Sequence, residues 1–230
     1  MDVHSSPALV IAIDGPSGAG KGTVSRVVAE RLAYRHVDTG AMYRAVAWLA
    51  LQRGTDLADA GAVASLAGAA TFAFDAGSVT IEGHDVTAAI RTPEIDRAAA
   101  VVAQHAPVRE VLVERQRGYG RHGGVVMEGR DIGTVVFPGA DVKIYLDASA
   151  SERARRRATD TGHAAGRASG GVTQVARALE ERDRADRTRA ASPLTLASDA
   201  LYIDTTDLAV PAVVARVMAA VEAALTRSAR

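Results

Sequence analysis

The sequence contains no cysteine, which excludes disulfides, thiolate-bound metals and a thiol nucleophile. It contains no asparagine either, and of its 27 basic residues all but Lys21 and Lys143 are arginine. Neither sign of charge is in excess, with 27 acidic residues against 27 basic ones, so nothing global points to nucleic acid or an acidic membrane surface as partner. No apolar run approaches the roughly 20 residues of a membrane helix. The start, MDVHSSPALVIAID, lacks the basic stretch, long apolar segment and small-residue cleavage site of an export signal. These absences lead us to expect a soluble, cytoplasmic protein. The bias toward Arg and Ala is what a GC-rich genome produces and carries no function by itself.

What is present is a chain of 230 residues, 48% hydrophobic, enough for one sizeable core or a core with small inserts. ALVIAID (8–14) is a short β-branched run that reads as a buried strand. Val24, Val27, Val28 and Leu32 then recur at helical spacing. Further strand-like runs are VVME (125–128), VKIYLD (142–147) and LYID (201–204), separated by helical patterns such as 151–158, 172–189 and 210–227. Strands alternating with helices imply a parallel sheet covered on both faces. The stretch 71–87 breaks that rhythm with apolar–polar alternation around Gly turns, an antiparallel hairpin within an inserted lobe of roughly 55–95. Residues 159–171, TDTGHAAGRASGG, suit either a disordered linker or a mobile lid. No repeat is visible. Trp48 and the helical Val/Ala stripes are expected in the core, and the six histidines, which lack ligand spacing, at the surface or in the core.

Between the first strand and the first helix lies Gly15-Pro16-Ser17-Gly18-Ala19-Gly20-Lys21-Gly22-Thr23, which fits G-x-x-x-x-G-K with Gly22 where Ser or Thr is usual. Glycines let successive N–H groups turn inward around phosphate oxygens, and the following helix offers its unpaired N–H groups and positive dipole end to the same anion. Lys21 adds a full charge near the β- and γ-phosphates, and the Thr23 hydroxyl can meet phosphate or Mg²⁺. A glycine turn with a surface lysine is the bland alternative, and the strand before and amphipathic helix after argue against it. Guanine-specific switches read their base with an Asn-Lys-x-Asp or Thr-Lys-x-Asp stretch, which a chain without Asn and with Lys143 in DVKIY does not have.

Two more clusters fall where ligands bind in open parallel sheets, beyond the strands' carboxyl ends. VDTGAMYR (37–44) places Asp38, Thr39 and Arg44 at a helix opening. VVMEGRDIGT (125–134) ends a strand with Glu128, Arg130 and Asp131, where Glu128 can hold Mg²⁺ directly or through water and Arg130 an anion. Residues 151–190 hold ten arginines against six acids. Alone, RALEERDRADRTR is more ordinarily a solvated helix face; beside a phosphate cradle, the surplus suits a lid closing arginines over a transferring phosphoryl group.

Taken together and in order, DGPSGAGKGT, DTGAMYR, EGRDIGTVVFP and ERDRADRTRAASPL resemble the bacterial cytidylate kinase family over about residues 8–225, including the lobe that ends in IRTPEI. The resemblance implies an α/β P-loop kinase fold: a parallel five-stranded sheet with helices on both faces. It also implies one kinase domain, with core 8–54, 96–158 and 172–227, an inserted monophosphate-binding lobe at about 55–95 and a short lid at about 159–171. The implied reaction is ATP-dependent phosphorylation of CMP and dCMP, with Mg²⁺, in a cytoplasmic monomer. By the same resemblance Gly15 to Thr23 bind ATP, Arg44, Arg130 and Arg189 hold the acceptor phosphate, and Thr39 is among the CMP-binding residues. Arg182 and Asp186 reach its ribose, Arg109 and Asp131 face the cytosine, and Arg156 and Arg157 come from the lid side.

The base assignment is chemically consistent. Cytosine offers acceptors that an arginine can meet and an amine hydrogen that a carboxylate can take, whereas uracil sets an oxygen against that carboxylate. Two departures from the family pattern stand out: Ala100 where a serine is expected near the base, and Glu128 in place of Asp before Gly129. The competing readings are another P-loop small-molecule kinase, acting on UMP, AMP or shikimate, and an ATP-binding module without turnover.

Overall fold

The computed structural model describes residues 8–75, 77–160, 162 and 171–228. In chain order the first elements are β1 (Val10–Asp14), α1 (Lys21–Leu32), β2 (Arg35–Asp38), α2 (Thr39–Gln52) and α3 (Ala60–Ala69). Then come β3 (Phe72–Asp75), β4 (Ser78–Ile81), β5 (His84–Asp85), α4 (Pro93–Val102) and α5 (Ala106–Gly120). After β6 (Val125–Gly129) a π-turn spans Ile132–Val136, followed by β7 (Val142–Asp147), α6 (Ala150–Ala158), α7 (Gly171–Thr188), β8 (Leu201–Asp204) and α8 (Val210–Ser228). The chain divides into two compact units, one of Met1–Asp38, Gln116–Ser149 and Leu194–Arg230, the other of Thr39–Arg115 and Ala150–Pro193.

The first unit is built on a five-stranded sheet of order β2-β6-β1-β7-β8, parallel throughout. Strand alternation sends Ile11, Ile13, Val126, Ile144, Leu146 and Ile203 to one face. There they bury against Val24 and Val28 of α1 and Val213, Val217 and Val221 of α8. Ala12, Val37 and Met127 point the other way and are also fully buried. A strand apolar on both faces, as the runs in β1, β6 and β7 are, belongs inside such a sheet. The runs expected at 142–147 and 201–204 form β7 and β8 with those bounds. β2 was not legible, because RHVD buries only Val37 and looks like a loop until β6 pairs with it.

The second unit contains α2, α3, α4, α6 and α7 with most of α5, and an antiparallel sheet β3-β4-β5. The hairpin expected within 71–87 is there, extended by the short third strand. α4 starts where its sequence says it should: Thr92 Oγ1 accepts the Ile95 N–H at 3.2 Å and Pro93 opens the helix. α6 and α7 are joined by a buried ion pair, Arg153 with Asp183. Trp48 is half-buried rather than in the core, its ring 5.9 Å from that of His84. Of the expected lid, residues 161 and 163–170 lie outside the described residues.

Candidate active site

Sheet register places the first group of polar side chains. Val126 faces α1, and β6 advances two residues to Glu128 on the same face. His36 is the register partner of Val126 and Asp38 of Glu128, so both share that face from the neighbouring strand. His36 Nε2 lies 3.0 Å from Glu128 Oε1. Burial works against a charge on His36, but the hydrogen bond and charge of Glu128, helped by Asp38, outweigh it and raise the imidazole above its ordinary pKa. Glu128 is itself buried and adjoins the opening of α1: a Cβ at Gly22 would sit 3.3 Å from Glu128 Oε1. Glycine at this position therefore leaves room for the longer glutamate arm.

The glycine loop runs from β1 into α1. Gly15 has φ 144°, and a Cβ there would fall 1.9 Å from the Leu146 carbonyl oxygen, so no other residue fits. Gly20 caps α1 in the left-handed region with no side-chain hydrogen bond to the helix's first N–H groups. An unsatisfied helix start of this kind is suited to an anion. Lys21 is buried, and its Nζ donates to the Pro16 carbonyl at 2.8 Å. Burial and then Arg130 lower its pKa to about 7, against the opposing pull of Glu128, Asp14 and Asp38. An ammonium held this far from its comfort is one that an incoming phosphate would stabilise.

Asp14, at the end of β1, points to the opposite side of the sheet from Ile13. Its carboxylate accepts the Ile132 N–H at 2.8 Å and the Gly133 N–H at 2.7 Å, which anchors the π-turn immediately after Arg130 and Asp131. Burial raises Asp14 to about 6 despite those two hydrogen bonds. Asp131 is buried, and Arg130 is half-buried with a long 3.4 Å hydrogen bond from Nη1 to the Gly129 carbonyl.

In the second unit, arginines from two helices meet at one carboxylate. Arg182 of α7 donates to Asp96 Oδ1 at 3.0 Å, and Arg44 of α2 lies 3.9 Å from the same oxygen. Arg157 of α6 pairs with Asp160 at 3.7 Å; burial lowers its pKa, Asp96 opposes that, and Arg182 and Arg44 add to it. Arg109 lies over the Tyr43 ring at 5.5 Å and donates to the Ala103 carbonyl at 3.4 Å. Asp186 and Arg189 sit together at 3.5 Å, and Arg189 Nε also donates to the Ser192 carbonyl at 2.6 Å. Thr39 is buried at the opening of α2. Arg156 is turned to Glu152 at 2.8 Å, an i,i+4 pair along α6.

The expected residues therefore fall into two sets. Gly15 to Thr23, Glu128, Arg130 and Asp131 share the first unit; Arg44 and Arg182 meet at Asp96 in the second, and Arg157 pairs with Asp160. Thr23 is exposed. Three polar residues in these sets were not singled out by sequence: His36, Asp14 and Asp96. A lone histidine gives no local signal, and its partner Glu128 is 92 positions away. Asp14 was legible as the strand's end but not as an anchor, and Asp96 reads as an ordinary acid in a helix's first turn.

The family model described as cytidylate kinase matches residues 11–223. A cytidylate kinase of Limosilactobacillus fermentum is 47% identical over 218 residues, covering 94% of this chain and 96% of that protein. Another, from Bacillus subtilis, is 46% identical over 221 residues, covering 93% and 96%. Among solved structures, a shikimate kinase from Acinetobacter baumannii in complex with shikimate is 16% identical, with TM-score 0.46 over 95% of each chain, too remote to bear on the acceptor. With a family model spanning nearly its whole length, this chain belongs to the cytidylate kinase family.

Proposed function

We propose that the protein transfers the γ-phosphoryl group of ATP to CMP and dCMP, giving CDP and dCDP. The observation that carries this reading is a buried lysine at an uncapped, glycine-rich helix start, in a chain whose other unit brings two arginines to a single carboxylate. In the first unit, Gly15 to Gly22 and Lys21 take the ATP phosphates, and Lys21 neutralises charge developing on the transferred group. In the second, Arg44 and Arg189 hold the acceptor phosphate, Thr39 also contacts CMP, Arg182 and Asp186 take its ribose and Arg109 faces the base. The family resemblance adds Arg130 for the phosphate and Asp131 for the base. Arg157, with Arg156 once released from Glu152, adds positive charge to the reaction. The acceptor's phosphate is already an anionic nucleophile at neutral pH, so no general base is required. Catalysis is then positioning and charge neutralisation.

Mg²⁺ fits the first unit on one observation, the Glu128 carboxylate beside Gly22 at the opening of α1. The described residues hold no group of three or more His, Asp or Glu able to bind a metal, which suits an ion that keeps its waters and rests largely on phosphates. Glu128, through water, and the Thr23 hydroxyl would hold it, and it would supply charge neutralisation on the β- and γ-phosphates. No described helix is long and apolar enough to cross a membrane. The family resemblance adds a cytoplasmic setting and a monomeric enzyme.

The test is coupled ADP release with ATP and Mg²⁺ and separate CMP, dCMP, UMP, AMP and shikimate acceptors. Turnover confined to CMP and dCMP is expected, with the half-buried Ala100 causing no loss of selectivity. In the same panel Asp131→Ala should erode the CMP preference over UMP by about tenfold or more, the scale of one lost specific hydrogen bond. An unchanged ratio would remove Asp131 from base reading.

A further inference from the structure

The arginine cluster of the second unit is not empty of negative charge. Asp96 lies in the first turn of α4, where an acid is ordinarily explained by the helix dipole. Its side chain does more than that. It accepts from Arg182, 86 residues away on α7, and the same oxygen lies 3.9 Å from Arg44 on α2. Arg157 on α6 has its own ion pair with Asp160 at 3.7 Å and feels the charge of Asp96 from beyond it. Two guanidinium groups from two helices thus share one carboxylate oxygen, where Arg44 and Arg182 are only 14% and 17% exposed. Guanidinium groups so shielded from water require a counter-charge, and partially buried ones repel each other through a medium less screening than bulk water.

We propose that Asp96 is the internal counter-ion of the acceptor-phosphate arginines, so that phosphate binding is an exchange of one anion for another. The inference rests on the reading that Arg44 and Arg182 contact the acceptor nucleotide. A phosphate dianion can take the place of Asp96 on these arginines, but Arg182 must loosen or share its hydrogen bond to Asp96 for that to happen. Two consequences follow. Asp96 holds the arginines in place before substrate arrives, and it sets a threshold that weak monoanions do not pass. The exchange lowers the affinity for the acceptor and sharpens the choice of a phosphate over lesser anions.

Calorimetric titration of the full chain with CMP, cytidine and inorganic phosphate tests this, on wild type, Asp96→Asn, Asp96→Glu, Arg44→Ala and Arg182→Ala. Asp96→Asn keeps the size and a hydrogen-bond acceptor while removing the charge. It should bind CMP and inorganic phosphate about tenfold more tightly, the order expected for releasing one charge-assisted hydrogen bond. Cytidine, which brings no charge, should show no such gain, nor should CMP binding to Asp96→Glu, which retains the carboxylate. In steady state the gain should appear as a lower KM for CMP with KM for ATP unmoved. Equal or weaker CMP binding by Asp96→Asn, with Arg182→Ala and Arg44→Ala still losing affinity, would overturn the counter-ion role alone. CMP binding unaffected by either arginine change would overturn the acceptor reading, and this inference with it.

Discussion

At the scale of single residues, Lys21 is the group whose surroundings differ most from water. With its pKa lowered to about 7, the ammonium is partly deprotonated at neutral pH in the nucleotide-free protein. ATP phosphates would restore its charge, so binding near pH 7 should take up a fraction of a proton per site. Calorimetry in two buffers of different ionisation enthalpy reads that number directly, and Lys21→Ala should abolish it. The same substitution should lower turnover by about a hundredfold or more while leaving Tm unchanged or raised, because it removes a buried charge. Equal loss of activity and Tm would mean that Lys21 is structural. Sequence made Lys21 conspicuous because its chemistry is local, carried by the glycines on either side. His36 was invisible for the opposite reason. Its position against Glu128 depends on a strand pairing that brings two distant segments into register, and no local pattern announces it.

At the scale of elements, the end of β1 is under tight constraint. Gly15 leaves the strand beside the backbone of β7, and even one methyl group would collide with the Leu146 carbonyl oxygen at 1.9 Å. Gly15→Ala combines that collision with an unfavourable positive φ of 144° and should destabilise the fold by about 2–4 kcal/mol. Urea denaturation would show it, and an unaltered midpoint would contradict the close packing of loop against strand. ATP affinity should fall with it, since the loop cannot keep its course. Elements with a strong repeating pattern were readable: β7 and β8 from their apolar runs, α8 from its valine stripe. The π-turn at 132–136 was not, because IGTVV has a strand's composition. What makes it turn is the Asp14 carboxylate, which takes two of its N–H groups from 118 and 119 residues away.

At the scale of the whole molecule, burial of charge should shape the stability of the nucleotide-free protein. Asp14 is raised from 3.8 to about 6, so between those values the folded state binds more protons than the unfolded chain, and stability falls as pH rises. Lys21 is lowered from 10.5 to about 7, so over that interval the folded state binds fewer protons, and stability rises with pH. The combined contribution of these two groups is lowest between about pH 6 and 7. Thermal melts from pH 7 to 9 should therefore show an upward trend that Lys21→Met flattens; an identical slope in both proteins would show that Lys21 keeps its ordinary pKa. The central sheet was legible because its strands are buried on both faces and must be apolar; its edge β2 and the ion pairs joining separate helices were not, since their partners are fixed only by the folded topology. Burial of both lysines has another consequence. Lys21 is held by Pro16, and Lys143, equally inaccessible, by Pro138 and Asp199. With no third lysine in the sequence, every basic side chain on the protein's surface is a guanidinium or an imidazole. Reagents and enzymes that acylate side-chain amines find almost nothing to modify on the folded protein, and the amine they would reach with most effect is the one at the proposed ATP site.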